Sequence, residues 1–144
     1  MILISHRGNT SGINKDLENK PDYILSALND SYDVEIDIWH YKDELYLGHD
    51  EPNILLPDKF FEFKDKLWFH AKNLDALTKL HRLNVHYFWH QNDDFTLTNK
   101  GVIWAYPGKH LTENSICVLP ESFNQKKFNC LGICSDLIEN YKND

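Results

Sequence analysis

The sequence is short of basic residues, of cysteine and of long apolar runs, and each shortage removes a class of protein. Fifteen Lys and Arg stand against 22 Asp and Glu in 144 residues, a formal net charge of -7. A mean field of that sign repels duplex nucleic acid and anionic membrane surfaces, so neither is expected as the main partner. A phosphate ligand is not excluded, because one divalent ion and a few local Lys or Arg residues can invert the potential inside a cleft. Cysteine occurs at Cys117, Cys130 and Cys134, an odd count without metal-knuckle spacing. Cys130 and Cys134 could approach each other, but reduced thiols in a cytoplasmic protein are the expectation. No apolar run approaches the roughly 18 residues of a membrane span. Met1-Ile2-Leu3-Ile4-Ser5 runs straight into His6, so no leader is expected. Repeats, linkers and low-complexity tracts are also missing. The 42% hydrophobic and 13% aromatic content supports a real core, and the length predicts one domain over 1–144.

Short β-branched apolar runs recur along the chain and end in polar residues. Ile2–Ser5 reads as a strand followed by His6-Arg7-Gly8-Asn9. A polar excursion over 9–19 follows, then a helix opened by Pro21 that runs to Asn29-Asp30. Val34–Trp39 is the second strand, and Leu45–Leu47 is a short returning strand before Gly48-His49-Asp50. Pro57–Lys66 reads as a short helix and Leu67–Ala71 as a strand carrying His70. An amphipathic helix over 74–83 is expected to be capped by Asn73. Val85–Trp89 leads to His90, Val102–Ala105 to Tyr106, Ser115–Leu119 to Pro120-Glu121, and Leu131–Cys134 to Ser135-Asp136. Residues 95–98 fit either a strand or a helical turn. Recurring strands with only two convincing helices between them predict an α/β barrel or open parallel sheet with many crossovers shortened.

In the second strand Val34, Ile36 and Ile38 alternate with Glu35, Asp37 and Trp39, so both carboxylates share a face. On an ordinary antiparallel sheet that face is solvated. In a barrel it points inward, and two unpaired negative charges there need a cation. Oxygen ligands suit magnesium or calcium. His6 and His49 can each donate or accept a proton near neutral pH. Arg7 or Lys72 can neutralise phosphate oxygens. Each motif alone has a plain explanation: a strand end, a solvated face, a turn. Together, in this order, they point to a metal-dependent phosphodiester site.

His6-Arg7-Gly8, Glu18-Asn19, Glu35-x-Asp37, Asp43-x-Leu45 and His49-Asp50-x-Pro52 resemble the signature of the glycerophosphodiester phosphodiesterases, within the phospholipase-C-like phosphodiesterases. The resemblance spans residues 1–52 and continues at Phe69-His70-Ala71-Lys72 and Gly132-Ile133-Cys134-Ser135-Asp136. It implies a reduced TIM-type (β/α) barrel with its site at the carboxyl ends of the strands. It makes His6 and His49 the general acid and base, Arg7 a phosphate contact, Glu35 and Asp37 metal ligands, and Lys72 a contact to substrate charge. The substrate implied is a small-molecule glycerophosphodiester or related phospho-alcohol, opened through a cyclic phosphate. Where the family carries a third carboxylate ligand this chain has His70, which either ligates the ion, with manganese then joining magnesium and calcium as a candidate, or only hydrogen-bonds Glu35 and Asp37.

Such barrels usually need at least about 200 residues. The expectation is therefore that bare loops replace several helices, or that a second copy in a homodimer covers exposed strands. His90, Tyr106 and Glu121 end or follow strands whose carboxyl ends would share the same mouth, as candidate substrate contacts; Trp39, Trp89 and Trp104 could rim it, with core packing the preferred reading for Trp104. A catalytically silent module that binds a phosphosugar or lipid headgroup is the rival reading.

Overall fold

A computed structural model describes residues 1–142. In chain order it contains β1 (Ile2–His6), α1 (Pro21–Asn29), β2 (Asp33–Tyr41), β3 (Glu44–Leu47), β4 (Ile54–Leu55), β5 (Leu67–Ala71), α2 (Leu74–Arg82), β6 (His86–Trp89), β7 (Phe95–Leu97), β8 (Ile103–Ala105), β9 (Ser115–Val118) and β10 (Gly132–Ser135). Short 3-10 helices occupy Asp58–Phe63, Pro120–Phe123 and Ile138–Tyr141.

All ten strands join one mixed sheet. Strands β8, β9, β10, β1, β2, β5 and β6 are successive parallel neighbours. Antiparallel β3 continues the β2 edge beyond β1, β4 pairs with β3, and β7 runs antiparallel to β8. No ladder joins β6 to β7 among the described residues; Asn99 ties them instead, its amide nitrogen donating to the Tyr87 carbonyl at 3.0 Å.

The architecture corrects the expectation of an α/β, TIM-type barrel. This is a mostly β structure, a curled mixed sheet forming a half-barrel, in which α1 and α2 are the only α-helices among the described residues. The connections from β6 onward explain the difference. Residues 90–94, 98–102, 106–114 and 124–131 lack the apolar stripe that a helix needs to pack on a sheet. Where the stripe exists the helix forms. Ile24, Ala27 and Leu28 of α1, with Ala76 and Leu80 of α2, bury against Val34, Ile36, Ile38 and Phe69 on the outer face. Asn73 caps α2 by accepting from Ala76 N at 3.0 Å, as its position before the apolar run predicts. Residues 95–98, undecided from sequence, contribute β7.

The inner face is layered along the strands. Ile4, Trp68, Phe88, Trp104, Ile116, Val118 and Cys134 form an apolar floor, with Trp104 and Phe88 rings 4.6 Å apart. Two residues further along the same strands, with the side-chain period of two, stand His6, His70, His90 and Asp136. The polar groups therefore lie above that floor, at the carboxyl ends of the parallel strands, where open sheets bind ligands. Cys117, Cys130 and Cys134 are all free thiols. Among the described residues no helix is long and apolar enough to cross a membrane.

Candidate active site

His6 ends β1 and its ring is held from the far end of the chain. Its Nδ1 lies 2.7 Å from Asp136 Oδ1, one residue past β10 and paired in space with β1 by the parallel ladder. Burial alone would lower the His6 pKa, but the Asp136 hydrogen bond and the field of Glu35 outweigh it and leave the pKa raised. Asp136 is correspondingly held below the usual carboxylate range: burial opposes this, and the His6 bond prevails. With Nδ1 engaged, Nε2 is left 3.8 Å from Glu35 Oε2.

Arg7 follows in the left-handed region, φ 57°. Non-glycine residues hold that conformation only when their surroundings fix it. Here Arg7 N donates to the Glu35 carbonyl and Asn19 N donates to the Arg7 carbonyl, each at 3.0 Å. Gly8 comes next at φ 95°, and a Cβ there would meet the Tyr23 ring. The guanidinium is aimed at Asp37 Oδ2, 2.9 Å from Nε, and at Glu18 Oε2, 3.2 Å from Nη1. Asn19 clamps Asp37 from both sides, its Nδ2 donating to Oδ2 at 2.9 Å and its Oδ1 accepting from Asp37 N at 3.0 Å. Asn9 donates to Glu18 Oε1 and Asp136 Oδ1.

Glu35 and Asp37 project from β2 to the inner face and are 2% and 0% exposed. His70, in register with Asp37 on β5, puts Nδ1 3.1 Å from Asp37 Oδ1 and 3.4 Å from Glu35 Oε1. Lys72 Nζ lies 3.7 Å from Asp37 Oδ1. Burial disfavours a charged His70, yet the two carboxylates raise its pKa to about 9. Burial would raise the Asp37 pKa, but His70, Arg7 and Lys72 hold it far below the usual range. Glu35, Asp37 and His70 could hold a metal ion: one donor atom from each lies within 4.8 Å of the others. Glu35 Oε2 and Asp37 Oδ1 are buried without a hydrogen bond, the condition a cation relieves.

A cavity of about 350 Å³ opens above this group, lined by His6, Arg7, Glu35, His70 and Lys72 on one side and by Trp89, His90, Trp104, Tyr106 and Leu119 on the other. His49 also lines it, presented by the turn after β3. Gly48 makes that turn at φ 152°, where a Cβ would run into the Glu51 carbonyl. Trp39 does not rim the cavity; its Nε1 donates to the Gly48 carbonyl at 2.8 Å and braces the turn. His49 Nδ1 lies 2.7 Å from Asp50 Oδ1, which leaves its Nε2 free in turn.

Of the residues singled out from sequence, His6, Arg7, Glu35, His49, His70, Lys72, His90 and Tyr106 line one cavity, and Asp37 backs it. Glu121 does not line it. Its carboxylate accepts from Ser135 Oγ at 2.9 Å and from Asp136 N at 3.0 Å, fixing the residue that orients His6. Asp136, Asn9 and Asn19 escaped the sequence reading as site residues. The Ser135-Asp136 pair at a strand end was the available signal for the first and the Glu18-Asn19 motif for Asn19; nothing local marks Asn9.

Comparison with protein-family models, with curated proteins and with solved structures finds no match. Inference about function rests on the site itself.

Proposed function

We propose that the protein is a metal-dependent phosphodiesterase acting on a glycerophosphodiester or related phospho-alcohol. One observation carries the reading: two histidines, each tied at Nδ1 to a carboxylate 2.7 Å away, line the same cavity as Arg7, Lys72 and the Glu35 carboxylate. The ordered motifs of residues 1–52, similar to those of the glycerophosphodiester phosphodiesterases, support it.

Glu35, Asp37 and His70 would hold the divalent ion, which supplies positive charge to a phosphoryl oxygen. The two carboxylates suit magnesium or calcium, and the imidazole weakens both relative to softer ions, which brings in manganese. Arg7 and Lys72 offset charge on the remaining phosphoryl oxygens. One imidazole takes the proton of an attacking hydroxyl at Nε2 as the new P–O bond forms. The other imidazolium gives its Nε2 proton to the departing alcohol oxygen as the old P–O bond breaks. Asp136 and Asp50 keep both rings in the tautomer this exchange requires. Release of an alcohol from a generic diester, with manganese or magnesium present, tests the reading: His6→Ala and His49→Ala should each abolish turnover in a folded protein. Unchanged turnover in both variants sinks it.

A second reading has its own support. Arg7, Lys72 and a protonated His70 already balance Glu35 and Asp37 without a metal. A catalytically silent module that binds a phosphosugar or lipid headgroup would need no more. Calorimetry separates the two, since metal-free binding of a phosphosugar with no response to magnesium, calcium or manganese favours the module.

A further inference from the structure

The cavity over the carboxylates is two-sided. Its β1, β2 and β5 wall is charged, whereas its β6, β8 and β9 wall is built of His90, Trp104, Tyr106, Pro107 and Leu119, the Trp89 side chain packing on the outer-face core instead. No Asp, Glu, Lys or Arg belongs to that second wall. His90 lies beside Tyr106, ring centroids 4.8 Å apart and tilted by 52°, its buried Nδ1 has no hydrogen bond, and Gln91 adds an uncharged polar group to the lining. A wall of this kind is desolvated cheaply by a ring and poorly by an ion.

A second cavity of about 450 Å³ adjoins the first, lined by Lys15, Glu18, Asn19, Asp50 and Asn53 among others. The two share Arg7 and His49. A group that must offer an arm to each side, as a diester phosphorus does, finds its charge partner and its proton donor at that divide. One arm then extends over the aromatic wall and the other toward the polar cavity.

Resting on the phosphodiesterase reading, we propose that the substrate is an unsymmetrical phosphodiester, one ester arm of which carries an uncharged ring held against Tyr106 and Trp104. Arg7 faces the phosphate between the two cavities, and a space of about 350 Å³ accommodates a phosphoryl group with one ring beside it. Ring-bearing and ringless alcohols are therefore discriminated on this wall, not at the metal ligands.

The test is calorimetry with benzyl phosphate and methyl phosphate on the manganese-supplemented protein, repeated with Tyr106→Ala and Trp104→Ala. Tyr106 is 42% exposed, so its variant should fold even if the variant at buried Trp104 does not, and melting temperatures check both. Benzyl phosphate should bind at least tenfold more tightly than methyl phosphate, and the ratio should collapse toward one in Tyr106→Ala. Equal binding of the two by the unmodified protein overturns this inference alone. So does a ratio that survives in Tyr106→Ala. Failure of both phosphates to bind overturns the phosphodiesterase reading along with it.

Discussion

His6 and Asp136 lie 130 residues apart in the chain and 2.7 Å apart in the fold, Nδ1 to Oδ1. Asp136→Asn keeps the shape and removes the charge. The His6 pKa should fall, because the carboxylate is among the groups that raise it against burial. Turnover of a diester should drop roughly 100-fold, and the limb of the pH profile of kcat/KM that reports His6 should move to lower pH. An activity loss with an unshifted limb would mean that Asp136 acts on structure alone.

In the proposed metal site His70 would couple ion binding to protons. Its pKa in the folded, metal-free protein is raised to about 9, above the unfolded value, so its stabilising contribution is complete below about pH 6.5 and is lost as pH rises toward 9. Thermal melts in chelator should therefore fall across that window, and His70→Asn should flatten the fall. Metal affinity should run the other way, rising with pH as His70 gives up its proton. Isothermal titration of manganese in buffers of different ionisation enthalpy should register about one proton released per ion at pH 7.

His86 carries the opposite sign. It is 7% exposed, pairs with Thr98 Oγ1 at 2.8 Å and lies against the Trp68 ring. Burial, helped by the charge of Lys100, pushes its pKa down to about 4. Folding thus keeps it neutral while the unfolded chain takes up the proton, so stability is full above about pH 6.5 and falls as pH drops toward 4, by up to about 3 kcal/mol. Urea unfolding at pH 7 and pH 5 checks this. The gap between the two midpoints should narrow in His86→Gln.

What could be read from the residues divides along a physical line. Glu35 and Asp37 were legible because alternation with Val34, Ile36 and Ile38 forces both onto one face whatever the fold, and that face is the inner one. The position of Asn73 before an apolar run likewise announces its cap. The barrel class was misjudged: shortened crossovers were expected, and the chain does return from β8 to β9 and from β9 to β10 with at most one 3-10 turn, but so few helices leave a mostly β, curled mixed sheet and not a TIM-type barrel. The contacts of Asn9, Asn19 and Asp136 stayed hidden for another reason, although the Glu18-Asn19 and Ser135-Asp136 motifs were in view. Their roles depend on partners fixed by the sheet closing around them, and no local pattern encodes a contact made at that range.

Asn73 joins fold to site more tightly than a cap requires. Its Oδ1 accepts from Ala76 N at 3.0 Å and from His40 N at 3.1 Å, while its Nδ2 donates to the His40 carbonyl at 2.9 Å. One side chain thus closes the start of α2 and pins the end of β2 beyond Asp37, next to Lys72. A lost cap costs about 1 kcal/mol, and the stranded His40 backbone groups add roughly 1–3 kcal/mol to the extent that water cannot reach them. Asn73→Ala should therefore lower unfolding free energy in urea by about 2–4 kcal/mol. Asn73→Asp should keep the cap, since its carboxylate still accepts from Ala76 N, and lose only the bond to the His40 carbonyl. If the two variants are equally destabilised, the bond from Nδ2 to His40, and not the cap, is what holds α2 against β2.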